Sequence, residues 1–183
     1  MNRRIFISAG LALAGFARRA RAQLADSSSS VRFATLTRPV RIPVDSVATP
    51  WQPVPFVAEG TRDEPAAPKS RGSVSEGGQK RVLISGVVFR TETQLSAVCV
   101  TCPHEQCHVD LVTEPGRLAK MVGGKTSHPL FECGCHFSVF DAAQDGARIS
   151  GESPRGLYRF RIAGIRDGMV EIAEVEEAAL AEV

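Results

Sequence analysis

The chain has 183 residues, 22 Lys plus Arg against 20 Asp plus Glu, and five cysteines. That length holds one compact domain with a modest core and room for an appendage. A hydrophobic fraction of 43% with 23% charged residues excludes wholesale disorder. The absence of any run of 18 apolar residues excludes a polytopic membrane protein, and a net charge of +2 gives no basis for nucleic-acid binding.

The first 22 residues read as an export signal. Arg3 and Arg4 stand beside an apolar run from Ile5 to Ala17, and Ala20-Arg21-Ala22 offers the small residues that a signal peptidase accepts. The paired arginines followed by Ile-Phe-Ile resemble the twin-arginine signal, which exports proteins already folded around a cofactor. The expectation is a periplasmic protein whose mature chain starts at Gln23. The alternative is an uncleaved anchor to the inner membrane. Thirteen apolar residues reach only about 20 Å, short of a hydrocarbon core of about 30 Å, so cleavage is favoured. Removing residues 1–22 takes five arginines and no acid, which leaves 17 basic and 20 acidic side chains and a formal charge of −3. Outside the cytoplasm, cysteines can pair as disulfides.

After the signal, residues 23–30 end in four serines and read as a flexible tether to a domain spanning 31–183. Val31 to Phe56 suggests short strands broken by prolines. Residues 59–79 are rich in Pro, Gly, Ser and charge without periodicity, which predicts a long exposed loop. Three β-rich runs follow, at Arg81–Ser85, Val87–Arg90 and Gln94–Val100. Leu157–Ile162 and Met169–Val175 flank Arg166-Asp167-Gly168, a hairpin signal. Glu174–Val183 is Ala- and Glu-rich and predicts a short acidic helix. The whole reads as an all-β fold with long loops.

The chemistry-bearing residues sit in two of those loops. Four of the five cysteines and two of the four histidines fall in Cys102-Pro103-His104-Glu105-Gln106-Cys107 and Cys133-Gly134-Cys135-His136-Phe137-Ser138. Each loop offers a thiolate, an imidazole and one extra cysteine. Zinc accepts such sets in tetrahedral geometry. A 2Fe–2S cluster of the mixed-ligand kind takes two Cys on one iron and two His on the other. Cys99-Val100-Thr101-Cys102 also forms a C-x-x-C. A structural zinc module would then use Cys99, Cys102, Cys133 and Cys135, which leaves both neighbouring histidines unexplained.

The paired motifs C-P-H-E-Q-C and C-G-C-H-F-S resemble the two cluster loops of the Rieske iron–sulfur family, and the likeness extends over roughly residues 81–172. The resemblance implies antiparallel sheets with a cluster-binding subdomain at about 98–154. It implies one 2Fe–2S cluster, with Cys102 and Cys133 on one iron and His104 and His136 on the other. By the same resemblance, Cys107 and Cys135 form the disulfide that joins the loops, a mark of the branch containing the quinol-oxidising and arsenite-oxidase proteins. Gly151-Glu152-Ser153-Pro154 stands where the family carries the loop that covers the cluster, so Gly151 and Pro154 are expected there. His136-Phe137-Ser138 is similar to the small subunit of arsenite oxidase, whereas the cytochrome bc complex has Gly in place of Phe. Ser138 occupies the position whose hydroxyl reaches a bridging sulfide. Phe140 stands where the quinol-oxidising branch has a Tyr donor to a ligand thiolate. The 28 residues from Glu105 to Glu132 exceed the usual spacing, and the surplus around Gly123-Gly124-Lys125 predicts a surface excursion whose tip lies near the ligand loops.

The charge of such a site predicts its use. Two ferric ions, two sulfides and two thiolates sum to zero, and one electron makes −1. An all-cysteine cluster would go from −2 to −3, so histidine ligation lifts the potential to roughly −150 to +300 mV. The resemblance therefore implies a one-electron carrier rather than an independent enzyme. It would sit beside a larger catalytic oxidoreductase subunit, or beside cytochrome b if anchored, and pass electrons to a c-type cytochrome or cupredoxin. Each ligand histidine would keep one ring nitrogen free at the surface for docking. Elsewhere, Cys99 reads as a small buried hydrophobe in a strand, and His108 and His128 as ordinary loop residues. Glu105 and Gln106 read as solvated loop positions, and Asp141 as a turn cap. There is no phosphate loop or nucleophile–base pair.

Overall fold

The computed structural model describes residues 31–64 and 78–182. The predicted signal (1–22), the tether (23–30) and residues 65–77 of the predicted loop lie outside the described residues. Ten strands and two short α-helices follow in order: β1 (Phe33–Pro43), β2 (Val54–Asp63), β3 (Gln79–Arg90), β4 (Leu95–Cys99), β5 (Val109–Val112), α1 (Pro115–Val122), β6 (Leu130–Cys133), β7 (Ser138–Asp141), β8 (Ala147–Ser150), β9 (Phe160–Arg166), β10 (Met169–Glu176) and α2 (Glu177–Glu182). They form three antiparallel sheets, β1-β10-β9, β2-β3-β4 and β5-β6-β7-β8, so the all-β expectation is met.

The first two sheets share one core. Along β3, Val82, Ile84 and Val88 are buried while Leu83 and Ser85 are exposed, the period of two that one buried face requires. They pack with Leu36, Ile42, Ala58, Phe160, Ile172 and Val175 from the other strands. Between β9 and β10, Asp167 and Gly168 both have positive φ, at 51° and 71°. That is the type I′ geometry for which an Asp-Gly pair is selected.

Several sequence-predicted boundaries move. The predicted loop 59–79 is narrower than expected, because Glu59–Asp63 belong to β2 and pair with Gln79–Leu83 of β3. Strand pairing across the polar stretch overrode its composition. Arg81–Ser85 and Val87–Arg90 are one strand, since Gly86 continues the ladder. β1 passes through Pro39 where its register against β10 breaks between Thr35 and Val40, a place where a missing N–H is tolerated. The predicted strand at Leu157 begins only at Phe160, and the C-terminal helix only at Glu177. Among the described residues, no helix is long and apolar enough to cross a membrane.

The four-stranded sheet β5–β8 is a separate, two-faced layer. On one face, Val109, Phe131, Cys133 and Phe140 join Phe89, Val98, Cys102 and Leu157 in a second core. The other face presents Val112, Leu130 and Val139 to Leu118 of α1. This placement corrects the expected position of the excursion. The β5–β6 register pairs Val109 with Cys133 at the loop end and Val112 with Leu130 at the far end. The excursion therefore leaves the sheet about 10 Å from the ligand loops and packs on its outer face. Its partners are Glu132, which Arg117 pairs with, Asp141, which His128 bonds, and the Trp51 ring, which stacks on His128.

Candidate metal centre

Sheet topology brings the two loops to one place. The second loop, Gly134–Phe137, is the turn between β6 and β7. The first loop leads into β5, whose first residue pairs with the last residue of β6. Both loops must therefore emerge from the same end of the sheet. The first loop is closed on itself by Cys102 N–H to Cys107 O at 2.8 Å and Gln106 N–H to Cys102 O at 3.0 Å. Gln106 and Phe137 adopt left-handed φ of 58° and 53°, the reversals that let each short loop turn. A disulfide between Cys107 and Cys135 joins the loops, as the resemblance implied.

That bond leaves Cys102 and Cys133 as free thiols, each 1% exposed. Burial pushes the Cys102 thiol above its ordinary range, and the adjacent Cys133 adds to the rise, while the His104 backbone N–H acts the other way. Such a pair ionises when a cation displaces its protons. The two imidazoles face each other with ring centroids 4.7 Å apart and planes at 76°. His104 Nδ1 is buried without a hydrogen-bond partner, an arrangement that costs free energy unless another group completes it. The donor set of two thiols, two imidazoles and an orphaned ring nitrogen fits a mixed-ligand 2Fe–2S cluster. It does not fit the four-cysteine zinc module, because Cys135 is already bonded to Cys107. Cys99 belongs to the strand core instead, fully buried, with its N–H bonded to Tyr158 O at 2.8 Å.

Outward, the ring nitrogens lie near two acids, Glu105, expected as a solvated loop position, and Glu152 of the expected covering stretch. His136 Nε2 lies 3.8 Å from the Glu105 carboxylate, and His104 Nε2 lies 4.0 Å from that of Glu152. The acids are more than half exposed, so solvent weakens these pairs. Phe137, between His136 and Ser138, is 70% exposed and gives the tip an apolar point.

Ser138 and Phe140 share the inner face of β7. Ser138 stands opposite Cys133 and Phe140 opposite Phe131, and both side chains are fully buried. Ser138 Oγ accepts the Ser153 N–H at 2.9 Å, so its own proton is free to donate elsewhere. The stretch Gly151–Pro154 crosses directly over Ser138. Gly151 has φ +93°, and a Cβ there would lie 2.3 Å from the Ser138 Cα, so only glycine fits. Asp141 caps the turn after β7 by accepting the Ala143 N–H at 2.8 Å, as expected. His128, read as an ordinary loop residue, instead bonds Asp141 Oδ1 through Nε2 at 2.8 Å; a histidine 13 residues from its acid leaves no local pattern to find. His108 stays exposed beside Asp110.

No match was found among curated proteins. A family model described as the Rieske [2Fe-2S] domain matches residues 59–161, more than half of the chain and the whole of both loops. With its antiparallel sheets, its bridged loops and its paired thiols and imidazoles, the chain belongs to the Rieske [2Fe-2S] domain family and binds a 2Fe–2S cluster.

Proposed function

We propose that the protein is an exported one-electron carrier, the small subunit of a larger oxidoreductase, with Cys102 and Cys133 on one iron and His104 and His136 on the other. The orphaned His104 Nδ1, in the loop that also carries the free Cys102 thiol, carries the ligand assignment. When bound, the cluster supplies a one-electron couple in the range of roughly −150 to +300 mV. The chain's own residues set the rest. The core formed with Phe131 and Phe140 excludes water from the thiols. Ser138 offers a hydroxyl proton from the strand next to Cys133. The outer nitrogens stay without a hydrogen bond to the nearby Glu105 and Glu152, and the exposed Phe137 stands beside them, which supports docking of a partner at the histidine tip, a c-type cytochrome or cupredoxin.

Export by the twin-arginine route and a periplasmic location rest on Arg3, Arg4 and the Ala20-Arg21-Ala22 site. The disulfide supports an oxidising compartment. Retention of the N-terminus would instead make the chain an anchored subunit beside cytochrome b in a quinol–cytochrome c oxidoreductase.

The test is the dithionite-reduced protein isolated from its native membrane-free extract. Electron paramagnetic resonance should show a rhombic mixed-ligand cluster signal. His136→Ala should abolish it and His128→Ala should keep it. A signal surviving in His136→Ala would refute the ligand set. Mass spectrometry should find Gln23 as the first residue; a chain starting at Met1 would favour the anchored reading.

A further inference from the structure

The carboxylate of Glu176, at the last position of β10, is 1% exposed and far along the chain from either ligand loop. Burying a charge is unfavourable unless it is paired and hydrogen-bonded. Both oxygens of Glu176 are taken. Oε1 accepts from Arg159 Nε at 2.5 Å, and Oε2 pairs with Arg155 Nη2. The two arginines belong to different parts of the molecule. Arg159 is part of the frame: its carbonyl accepts the Glu176 N–H at 2.9 Å, and it bridges to Val98 of β4. Arg155 directly follows the Gly151–Pro154 stretch that crosses Ser138.

From Arg155 a short run of bonds leads to the second ligand loop. The Arg155 carbonyl accepts the Ser153 hydroxyl at 2.8 Å. The Ser153 N–H in turn donates to Ser138 Oγ at 2.9 Å, opposite Cys133. The Arg155 guanidinium also lies over the Tyr158 ring, 4.5 Å from its centroid, which fixes its plane toward the carboxylate.

We propose that Glu176 is a positioning residue of the cluster site, which clamps the covering loop to the base of the molecule through Arg155. The inference rests on the ligand assignment above. It assigns the buried carboxylate a purpose that fold stability alone does not require, since apolar side chains of similar volume would serve stability as well. The planar guanidinium matters as well as the charge, because Arg155 reaches Glu176 through Nη2 while its Nε donates to Gly156 O at 3.3 Å and its face lies on the Tyr158 ring, three contacts that an ammonium cannot make together.

Four variants of the full cluster-loaded protein test this. Arg155→Ala and Arg159→Ala each remove one positive partner of the same carboxylate and leave the other in place, so neither orphans Glu176. If the clamp exists, Arg155→Ala raises hydrogen exchange of the 151–155 segment and cluster loss to a chelator about tenfold, the effect of one charged hydrogen bond. Arg159→Ala should leave both within about twofold at a similar thermal loss. Arg155→Lys should behave like Arg155→Ala, and Glu176→Gln should loosen the same segment. Equal loop exchange and equal cluster loss in the Arg155→Ala and Arg159→Ala proteins would overturn the clamp. Wild-type protein lacking the rhombic signal would overturn the ligand assignment instead, and the exchange comparison would still decide the clamp.

Discussion

At the scale of single residues, the site is a matter of which proton points at which atom. Ser138 Oγ already accepts the Ser153 N–H, so its hydroxyl proton is left for the cluster side of β7. Phe140, two residues on, has no donor and is fully buried in the same core as Cys102 and Cys133. A hydrogen bond that gains one unit of negative charge on reduction should strengthen by about 1–2 kcal/mol, or about 40–90 mV for one electron. Phe140→Tyr should therefore raise the potential by that order, and Ser138→Ala should lower it by the same order. Ser138→Ala also leaves the Ser153 N–H without its acceptor, so it should lose about 1–2 kcal/mol of stability besides. Protein-film voltammetry reads the first effect and thermal unfolding the second. If Phe140→Tyr binds its cluster normally and its potential stays put, the donor argument is wrong and Phe140 only fills space.

At the scale of elements, each half of the cluster site depends on a strand that no local pattern announces. The two loops were legible because cysteines and histidines cluster in only two hexapeptides. The strands that carry them, β5, β6, β7 and β8, have four residues each, too few to show a period. Helix α1 was readable in principle, with Pro115 at its first position and Gly123 at its left-handed end, but its eight residues bury only Leu118. The paired acids Glu105 and Glu152 and the Glu176 clamp were not readable, because their partners are brought near by folding alone. Two predictions follow from where these elements lie. Leu118→Ala should cost about 2–3 kcal/mol by opening the outer face of the ligand sheet. It should leave the potential unchanged, since that face is turned from the thiols. A shifted potential would put the excursion back at the site. Gly151→Ala must move the covering loop or β7, because its Cβ meets backbone at 2.3 Å and φ is +93°. A loss of about 2–4 kcal/mol and an altered reduced spectrum are expected, and near-wild-type values for both would show that the crossing is looser than described.

At the scale of the whole molecule, two devices tie the same pair of loops together. The cluster would bind Cys102 and His104 from one loop and Cys133 and His136 from the other. The Cys107–Cys135 disulfide closes the same gap, spanning 28 residues. A loop of that length confines the unfolded chain by about 3–4 kcal/mol on the chain-entropy model. The loop it encloses contains β5, α1 and β6, so the bond constrains two of the four strands of the ligand sheet independently of iron. On the proposed export route the cluster is in place before the chain reaches an oxidising compartment, so the disulfide closes around a loaded site and slows its loss. Replacing Cys107 and Cys135 together by serine should lower Tm by roughly 10 °C in cluster-free protein. In loaded protein, the ligands remain, so the reduced spectrum should persist while cluster loss to a chelator accelerates. The double replacement separates this from a ligand role: a cysteine bound to iron would abolish the spectrum outright. If peptide mapping finds Cys99 bonded to either residue, or if the double variant keeps both its Tm and its rate of cluster loss, the bridge does not organise the site.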